Sequence, residues 1–368
     1  MKILYLTNLP SPYRMDFFNE LGKECSLTVL FERKHAGDRE KTWISEKVVN
    51  FKAIFLKGIN VGTESAFCWE VISWLNREKY DIFVIGGYST PTGMLAIQTL
   101  KVKNMPFFLN VDGGIIKNDN FLIKAIKQYF ISSATNWLST GQATNRYLMH
   151  YGAKENGIYT YPFTSVHSKE ILEKPLSANE KLILKKQLSL KGEKIILTVG
   201  RFLELKGFDI LIKSWKNISN EYTLLIIGSG PEEKNYKKLI NELEIDNIEI
   251  IGFQNKENLN SYYKSADLFV FPTRGDVWGL VINEALANGI PIISTDKCIA
   301  AVELLAREEC GKIIPVDDLK ALETSINEII ENDELRSKLA YNSLRKSREY
   351  TIESMSRKHF EIFKKASK

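Results

Sequence analysis

The sequence predicts an α/β protein of two doubly wound, Rossmann-like domains, each a parallel sheet flanked by helices, facing one another across a cleft. Three observations predict it. At 368 residues the chain exceeds what one hydrophobic core usually supports. Short apolar runs alternate with longer amphipathic segments, the pattern of strands joined by crossover helices. That alternation lapses once, in a polar stretch rich in Lys, Glu and Ser at 166–190, and then restarts.

In order along the first half, the strand candidates are 3–7, 27–31, 51–56, 81–85, 107–111, 136–139 and 157–161. Helical patterns lie between them at 14–22, 64–77, 92–102 and 121–131. After the lapse the strand candidates are 194–199, 222–227, 248–252, 268–271, 291–294 and 311–314, and the tail from Asp317 is helical in pattern. The expected organisation is an N-terminal acceptor-side domain at 1–165, a linker at 166–190, a C-terminal domain at 191–350 and a last helix at 351–368. Ligands of such sheets bind beyond the carboxyl ends of the strands.

Bulk composition excludes several classes. The chain is 44% hydrophobic and 26% charged, which suits a packed globular core. Its net charge of +5, from 50 basic and 45 acidic residues, falls short of the dense patches of nucleic-acid binding. It suits an anionic ligand or occasional contact with an anionic membrane. Cys25, Cys68, Cys298 and Cys310 have no paired spacing, which argues against a zinc site and a secreted disulfide scaffold. The apolar run at the N-terminus is too short for a signal peptide, and nothing approaches the roughly 20 apolar residues of a spanning helix. A cytoplasmic location is expected. His35, His150, His167 and His359 have no metal-like spacing and are taken as surface or packing residues, and no serine has hydrolase context.

The sharpest chemistry is Gly200-Arg201-Phe202-Leu203-Glu204-Leu205-Lys206-Gly207, directly after a strand candidate. Gly200 lets the backbone pass close to a ligand. Arg201 and Lys206 bring two cations to the sheet's carboxyl edge, where they would neutralise charge growing on a diphosphate leaving group. The bland alternative is a turn with two solvated charges. A second segment follows strand 268–271 and runs from Pro272 through Asp276, Gly279, Leu280 and Val281 to Glu284. The N–H groups around Gly279, Leu280 and Val281 open a helix and form a phosphate cradle. Glu284, flanked by Leu280, Val281, Ile282, Ala285 and Leu286, needs a polar partner or a ligand.

These two blocks, Gly-Arg-x4-Lys-Gly followed by an acid-x7-Glu pair, resemble family 4 of the retaining glycosyltransferases, which have the GT-B fold. The resemblance covers most of the C-terminal half; in the N-terminal half it rests on Asn8 to Arg14 and on Asn110 to Gly114. It is nearest to members from bacterial capsule, exopolysaccharide and lipopolysaccharide gene clusters. The resemblance implies that Arg201 and Lys206 hold the diphosphate of a nucleotide-sugar and that Glu284 binds the ribose. Asp276 stands where the family usually carries a Glu facing the donor sugar, and its shorter reach leaves the sugar open. It also implies that the last helix crosses back to brace the N-terminal domain.

No Asp-x-Asp pair occurs, which agrees with a metal-free site and no cofactor beyond the nucleotide-sugar co-substrate. Asp112, after strand 107–111, is a candidate to bond a sugar hydroxyl or orient the acceptor, or else part of an Asp-Gly turn. Arg14 is a candidate for acceptor phosphate or a plain ion pair. Gly228 and Phe253 end strands on the same edge and are candidates to approach the nucleotide. Basic amphipathic stretches at 121–131 and 357–368 either pack on their own domain or touch a membrane to reach a lipid-linked acceptor. The expected function is transfer of a hexose from a UDP- or GDP-sugar to a saccharide or lipid-linked saccharide. The rivals are a nucleotide-sugar epimerase of the same plan and a non-catalytic sugar-binding protein.

Overall fold

Two separate parallel sheets emerge, one from each stretch of alternation. The structure, a computed structural model, describes residues 1–34, 48–305 and 310–367. The first stretch forms β1 (Lys2–Thr7), α1 (Pro12–Leu21), β2 (Ser26–Phe31), β3 (Lys52–Phe55), β4 (Ile59–Val61), β5 (Ser65–Phe67) and α2 (Val71–Trp74). It continues with β6 (Ile82–Ile85), α3 (Pro91–Val102), β7 (Phe108–Val111), α4 (Phe121–Ser132), β8 (Asn136–Ser139), α5 (Gln142–His150) and β9 (Ile158–Thr160). Its main sheet is parallel throughout, in the order β3-β2-β1-β6-β7-β8-β9. In β1 every residue after Lys2 is buried, as expected of a strand covered on both faces.

The second stretch opens with α6 (Ala178–Gln187), β10 (Lys194–Val199), α7 (Phe208–Trp215), β11 (Tyr222–Ile227), α8 (Glu233–Glu242), β12 (Ile248–Ile251) and α9 (Lys256–Ser265). There follow β13 (Leu268–Phe271), α10 (Leu280–Ala287), β14 (Ile292–Thr295), α11 (Ile299–Leu304), β15 (Gly311–Ile314), α12 (Leu319–Glu331), α13 (Asp333–Ser347) and α14 (Ile352–Ala366). This sheet has the order β12-β11-β10-β13-β14-β15. The strand order reverses between β1 and β6 in one sheet and between β10 and β13 in the other, and crevices for ligands open at such points.

The chain divides into two units, Met1–Ser165 with Tyr350–Lys368, and Val166–Glu349. The last helix thus belongs to the first unit, where His359 lies 4.6 Å from Phe17 of α1 and Phe363 lies 5.2 Å from Phe108 of β7, centroid to centroid. The stretch at 166–190, expected as a linker, falls in the second unit and is partly helical. Ser177 and Glu180 cap α6 reciprocally, Ser177 accepting from the Glu180 N–H and Glu180 from the Ser177 N–H. Lys181 and Lys185 of α6 donate to Asp267 at 3.0 and 2.8 Å, which ties the helix to the foot of β13.

One helix expectation fails. Residues 64–77 hold β5, the second arm of an antiparallel hairpin with β4, and then only the single turn of α2. Tertiary hydrogen bonds hold the backbone extended: the Ala66 N–H donates to Glu32 at 3.1 Å and the Cys68 N–H to Thr92 at 2.9 Å. Local helical spacing gave way to buried partners distant in sequence.

Candidate functional site

The second unit brings three loops together at the carboxyl edge of its sheet. The loop after β10 is stitched to the loop after β11, with the Gly200 N–H donating to Ile227 O at 3.0 Å and the Phe202 N–H to Ser229 O at 2.8 Å. Gly228 is obligatory in this contact, because a Cβ there would stand 1.9 Å from Gly200 O. The loop after β13 fastens to the same segment: the Arg274 N–H donates to Leu205 O at 2.8 Å and the Thr273 hydroxyl to Leu205 O at 3.0 Å. The Arg274 guanidinium then forks onto both oxygens of Asp209 at 2.8 and 2.9 Å, while also donating to Glu204 O at 2.6 Å and Asp317 at 2.8 Å. The backbone around Lys206 is therefore held from three sides.

On this frame Lys206 Nζ donates to Asp276 Oδ2 at 2.6 Å. The other Asp276 oxygen accepts the Trp278 N–H at 3.1 Å, and the Asp276 N–H donates to Lys297 O at 3.0 Å. The two predicted residues thus form one ion pair, 70 positions apart in sequence. Arg201 is exposed, one residue beyond Gly200. Gly279 caps α10 at φ 100°, and a Cβ on it would meet Cys298 Sγ at 2.7 Å, so no other residue fits without strain. Leu280 and Val281 form the first turn of α10, where N–H groups lack partners within the helix. The helix is anchored by Trp278, whose indole donates to Asn283 at 2.8 Å.

Glu284, half-buried in the second turn of α10, accepts from the Tyr263 hydroxyl at 2.9 Å. Burial, reinforced by the Glu284 charge, pushes the Tyr263 phenol well above its ordinary range, so it remains a neutral donor. Tyr263 and Arg274 were not among the residues singled out from sequence, and only a structure shows their partners. Phe253 lies in the loop after β12, exposed. It stands on the same edge without a hydrogen bond or ring contact tying it to the other candidates among the described residues.

In the first unit Asp112 is held by side chains of that same unit. Its carboxylate accepts from Arg14, from Asn110 Nδ2 at 2.7 Å and from the Tyr161 hydroxyl at 3.1 Å. Asp112 thereby holds Arg14 and Tyr161 in place. Arg14 takes the ion-pair alternative: burial works against its charge, but Asp112 and the surrounding phenols outweigh it and raise its pKa. His359 is a buried packing residue, 4.2 Å from the Tyr161 ring. His35 lies outside the described residues. No helix of the described residues is long and apolar enough to cross a membrane.

Comparison with known proteins agrees with this architecture. Residues 179–346, which include the candidate residues from Gly200 to Glu284, match the family model for glycosyl transferases group 1. An uncharacterized glycosyltransferase of Haemophilus influenzae is 31% identical over 178 residues, 47% of this chain and 50% of that protein. The capsular polysaccharide biosynthesis glycosyltransferase CapM of Staphylococcus aureus is 32% identical over 193 residues, 52% of this chain and 50% of that one. The chain thus spans about half the length of the curated relatives it matches. Among solved structures, HepE of Anabaena in complex with UDP and glucose superposes with a TM-score of 0.76 at 16% identity, over 98% of each chain. The chain therefore has the GT-B fold, and its residues 179–346 are similar to the glycosyl transferases group 1.

Proposed function

We propose that this protein is a retaining glycosyltransferase that moves a hexose from a UDP- or GDP-sugar to a saccharide or lipid-linked saccharide during surface-polysaccharide synthesis. The observation that carries the reading is the Lys206–Asp276 pair, set between the Gly200 loop and the first turn of α10 at the strand-order reversal. A diphosphate-sugar demands a cation and a hydroxyl acceptor side by side, and this pair supplies them 2.6 Å apart. Arg201 and Lys206 would take the diphosphate, with the N–H groups at Gly279, Leu280 and Val281 completing its cradle. Glu284, oriented by Tyr263, would bind the ribose diol, and Asp276 the donor sugar. Gly200 and Gly228 would let the chain lie close to the nucleotide, with Phe253 beside the base. Asp112, which also holds Arg14, would bond a sugar hydroxyl or orient the acceptor.

No side chain need act as nucleophile in this scheme. The acceptor oxygen forms the new glycosidic bond as the bond to the diphosphate breaks on the same face. The departing phosphate oxygen takes the acceptor's proton, and Arg201 and Lys206 stabilise its charge, which makes a metal unnecessary. The chemistry would take place in the cytoplasm, with peripheral contact at the inner face of the membrane where acceptors are lipid-linked.

The test is nucleotide release from UDP- and GDP-hexoses with and without a saccharide acceptor, in excess chelator. Release that needs the acceptor, persists with chelator and falls at least about a hundredfold in Arg201→Ala and Lys206→Ala is expected. Wild-type rates in both variants would sink the assignment. Release of no nucleotide alongside interconversion of the sugar would hand the reading to an epimerase.

A further inference from the structure

The hairpin of β4 and β5 turns its largest side chains outward. Burial alternates residue by residue through 66–69, the pattern of an extended segment. Ala66 and Cys68 pack into the core of the first unit, while Phe67 is 39% exposed and Trp69 57%. The Phe67 and Trp69 rings lie 6.4 Å apart, centroid to centroid, tilted by 56°. Ile59, paired with Phe67 across the hairpin, shares that outer face and is 64% exposed. The solvent face of an antiparallel pair ordinarily carries polar residues, and tryptophan is on average highly buried.

The backbone beneath these rings is fixed. Glu32, directly after β2 and buried, accepts the Ala66 N–H at 3.1 Å and the Thr90 hydroxyl at 2.6 Å. Thr92, in the first turn of α3, accepts the Cys68 N–H at 2.9 Å and donates to Ala66 O at 2.6 Å. Arg33 donates to Gly62 O at 3.0 Å and Thr63 O at 2.9 Å in the turn of the hairpin. Glu32 and Arg33 follow β2, and Thr90 and Thr92 open the helix that follows β6. The hairpin is thus fastened to the carboxyl edge of the first sheet, the edge at which such sheets take their ligands.

The size of the patch narrows what covers it. Ile59, Phe67, Trp69 and Ile72 are each only partly exposed. At about 150–250 Å² for a whole aromatic side chain, they offer on the order of 400 Å² together. A stable protein interface takes roughly 800 Å² from each partner. The charges nearby have both signs, Lys57 beside Glu64 and Glu70, so they offer little to an anionic surface. A pyranose ring fits better. Its face of polarised C–H groups rests on the negative face of an aromatic ring, and its hydroxyls stay in water.

We propose that Phe67 and Trp69 form a sugar-stacking subsite, on which the saccharide acceptor rests a pyranose ring away from the reacting hydroxyl. The inference deepens the transferase reading above and rests on it for the identity of the saccharide as acceptor. The full chain is mixed with maltose, cellobiose, lactose or N,N′-diacetylchitobiose, and binding is read from saturation transfer to the sugar protons. Saturable binding of at least one of the four is expected. It should weaken at least about tenfold in Trp69→Ala and less in Phe67→Ala, in variants whose melting temperature matches wild type. Trp69→Tyr, which keeps an aromatic face, should restore most of it. Saturation transfer absent with all four sugars, or undiminished in Trp69→Ala, overturns the proposal. So does a dimer in light scattering that Trp69→Ala dissolves, because the face then belongs to a second copy. The mixture holds no nucleotide-sugar, so a failure here leaves the transferase reading standing. Sugar binding in a protein that releases no nucleotide would sink that reading alone.

Discussion

Arg274 illustrates how much of the site depends on a residue that touches none of the proposed substrate. Four hydrogen bonds from its guanidinium go to Asp209, Asp317 and Glu204 O, which joins the loop after β10, the first turn of α7 and the loop after β15. Arg274→Ala should lower the stability of the second unit by about 1–3 kcal/mol, as read by denaturant unfolding, because charged hydrogen bonds are lost and Asp209 is left partly buried. Arg274→Lys should recover only part of this, since an ammonium cannot fork onto both carboxylate oxygens. The pair also sets an acid-side dependence. Burial works to raise the Asp209 pKa, but the Arg274 guanidinium outweighs it and holds the carboxyl below its usual range. The stability this adds is complete above the ordinary carboxylate pKa of about 4 and is lost as pH falls through the lower folded value. An unfolding titration below pH ~4 should show this loss in wild type and a shallower one in Arg274→Ala. Lys206 and Glu284 were legible in sequence because each breaks a local pattern, a cation pair at a strand end and an acid among aliphatics. Arg274 was not, because its partners lie 65 and 43 positions away and nothing local marks the pairing.

Elements were legible where one periodicity acted alone and illegible where a distant partner decided. The strands of both sheets are largely apolar runs, several of them followed directly by Gly, Asn or Asp, and the central ones are buried. The hairpin of β4 and β5 escaped because Glu32 and Thr92, which hold it extended, come from other parts of the chain. Helix α14 shows a third case: its spacing marks it as a helix, yet nothing in that spacing says what it packs on. It buries His359 fully against Phe17 and Tyr161, with Nδ1–H donating to Met355 O at 2.8 Å and Nε2 without a partner among the described residues. Burial pulls the imidazole pKa down from 6.5 to about 4. Between those values the unfolded chain binds a proton that the folded one refuses, so acid destabilises the fold. The first unit should lose roughly 2–4 kcal/mol as pH drops from about 6.5 to about 4, with no further loss from this residue below that. His359→Phe should flatten that slope in a pH series of thermal unfolding, and an unchanged slope would refute the assignment. At α10 the decisive residue is Gly279: its positive φ and the Cys298 sulfur that a Cβ would meet make Gly279→Ala costly, by about 1–3 kcal/mol in unfolding measurements.

At the scale of the whole molecule, the chain leaves its first unit at Ser165 and rejoins it at Tyr350, so the two units are not two halves of the sequence. The repeated alternation announced two sheets, but periodicity carries no information about the destination of a final helix. That membership has an energetic consequence. Helix α14 buries Ile352, Met355, Ile362 and Phe363, each nearly inaccessible to solvent. At about 1.5–3 kcal/mol per buried side chain, these contacts are comparable to the roughly 5–15 kcal/mol that holds a typical domain folded. Removing residues 350–368 should therefore unfold the first unit while sparing the second, whose described core of Ile196, Leu225, Phe269 and Ile293 includes nothing from α14. Because two units need not melt together, the experiment has to resolve them separately. Hydrogen exchange on the truncated chain should show protection lost at β1, β7 and α1 and kept at β10, β11 and β13. Nucleotide binding should persist as well, because each residue proposed to contact the nucleotide lies in the second unit, and a thermal-shift series with UDP would detect it. Retained protection in β1 would show that the first unit stands without its last helix. Loss of protection in both units would show that the second depends on the first.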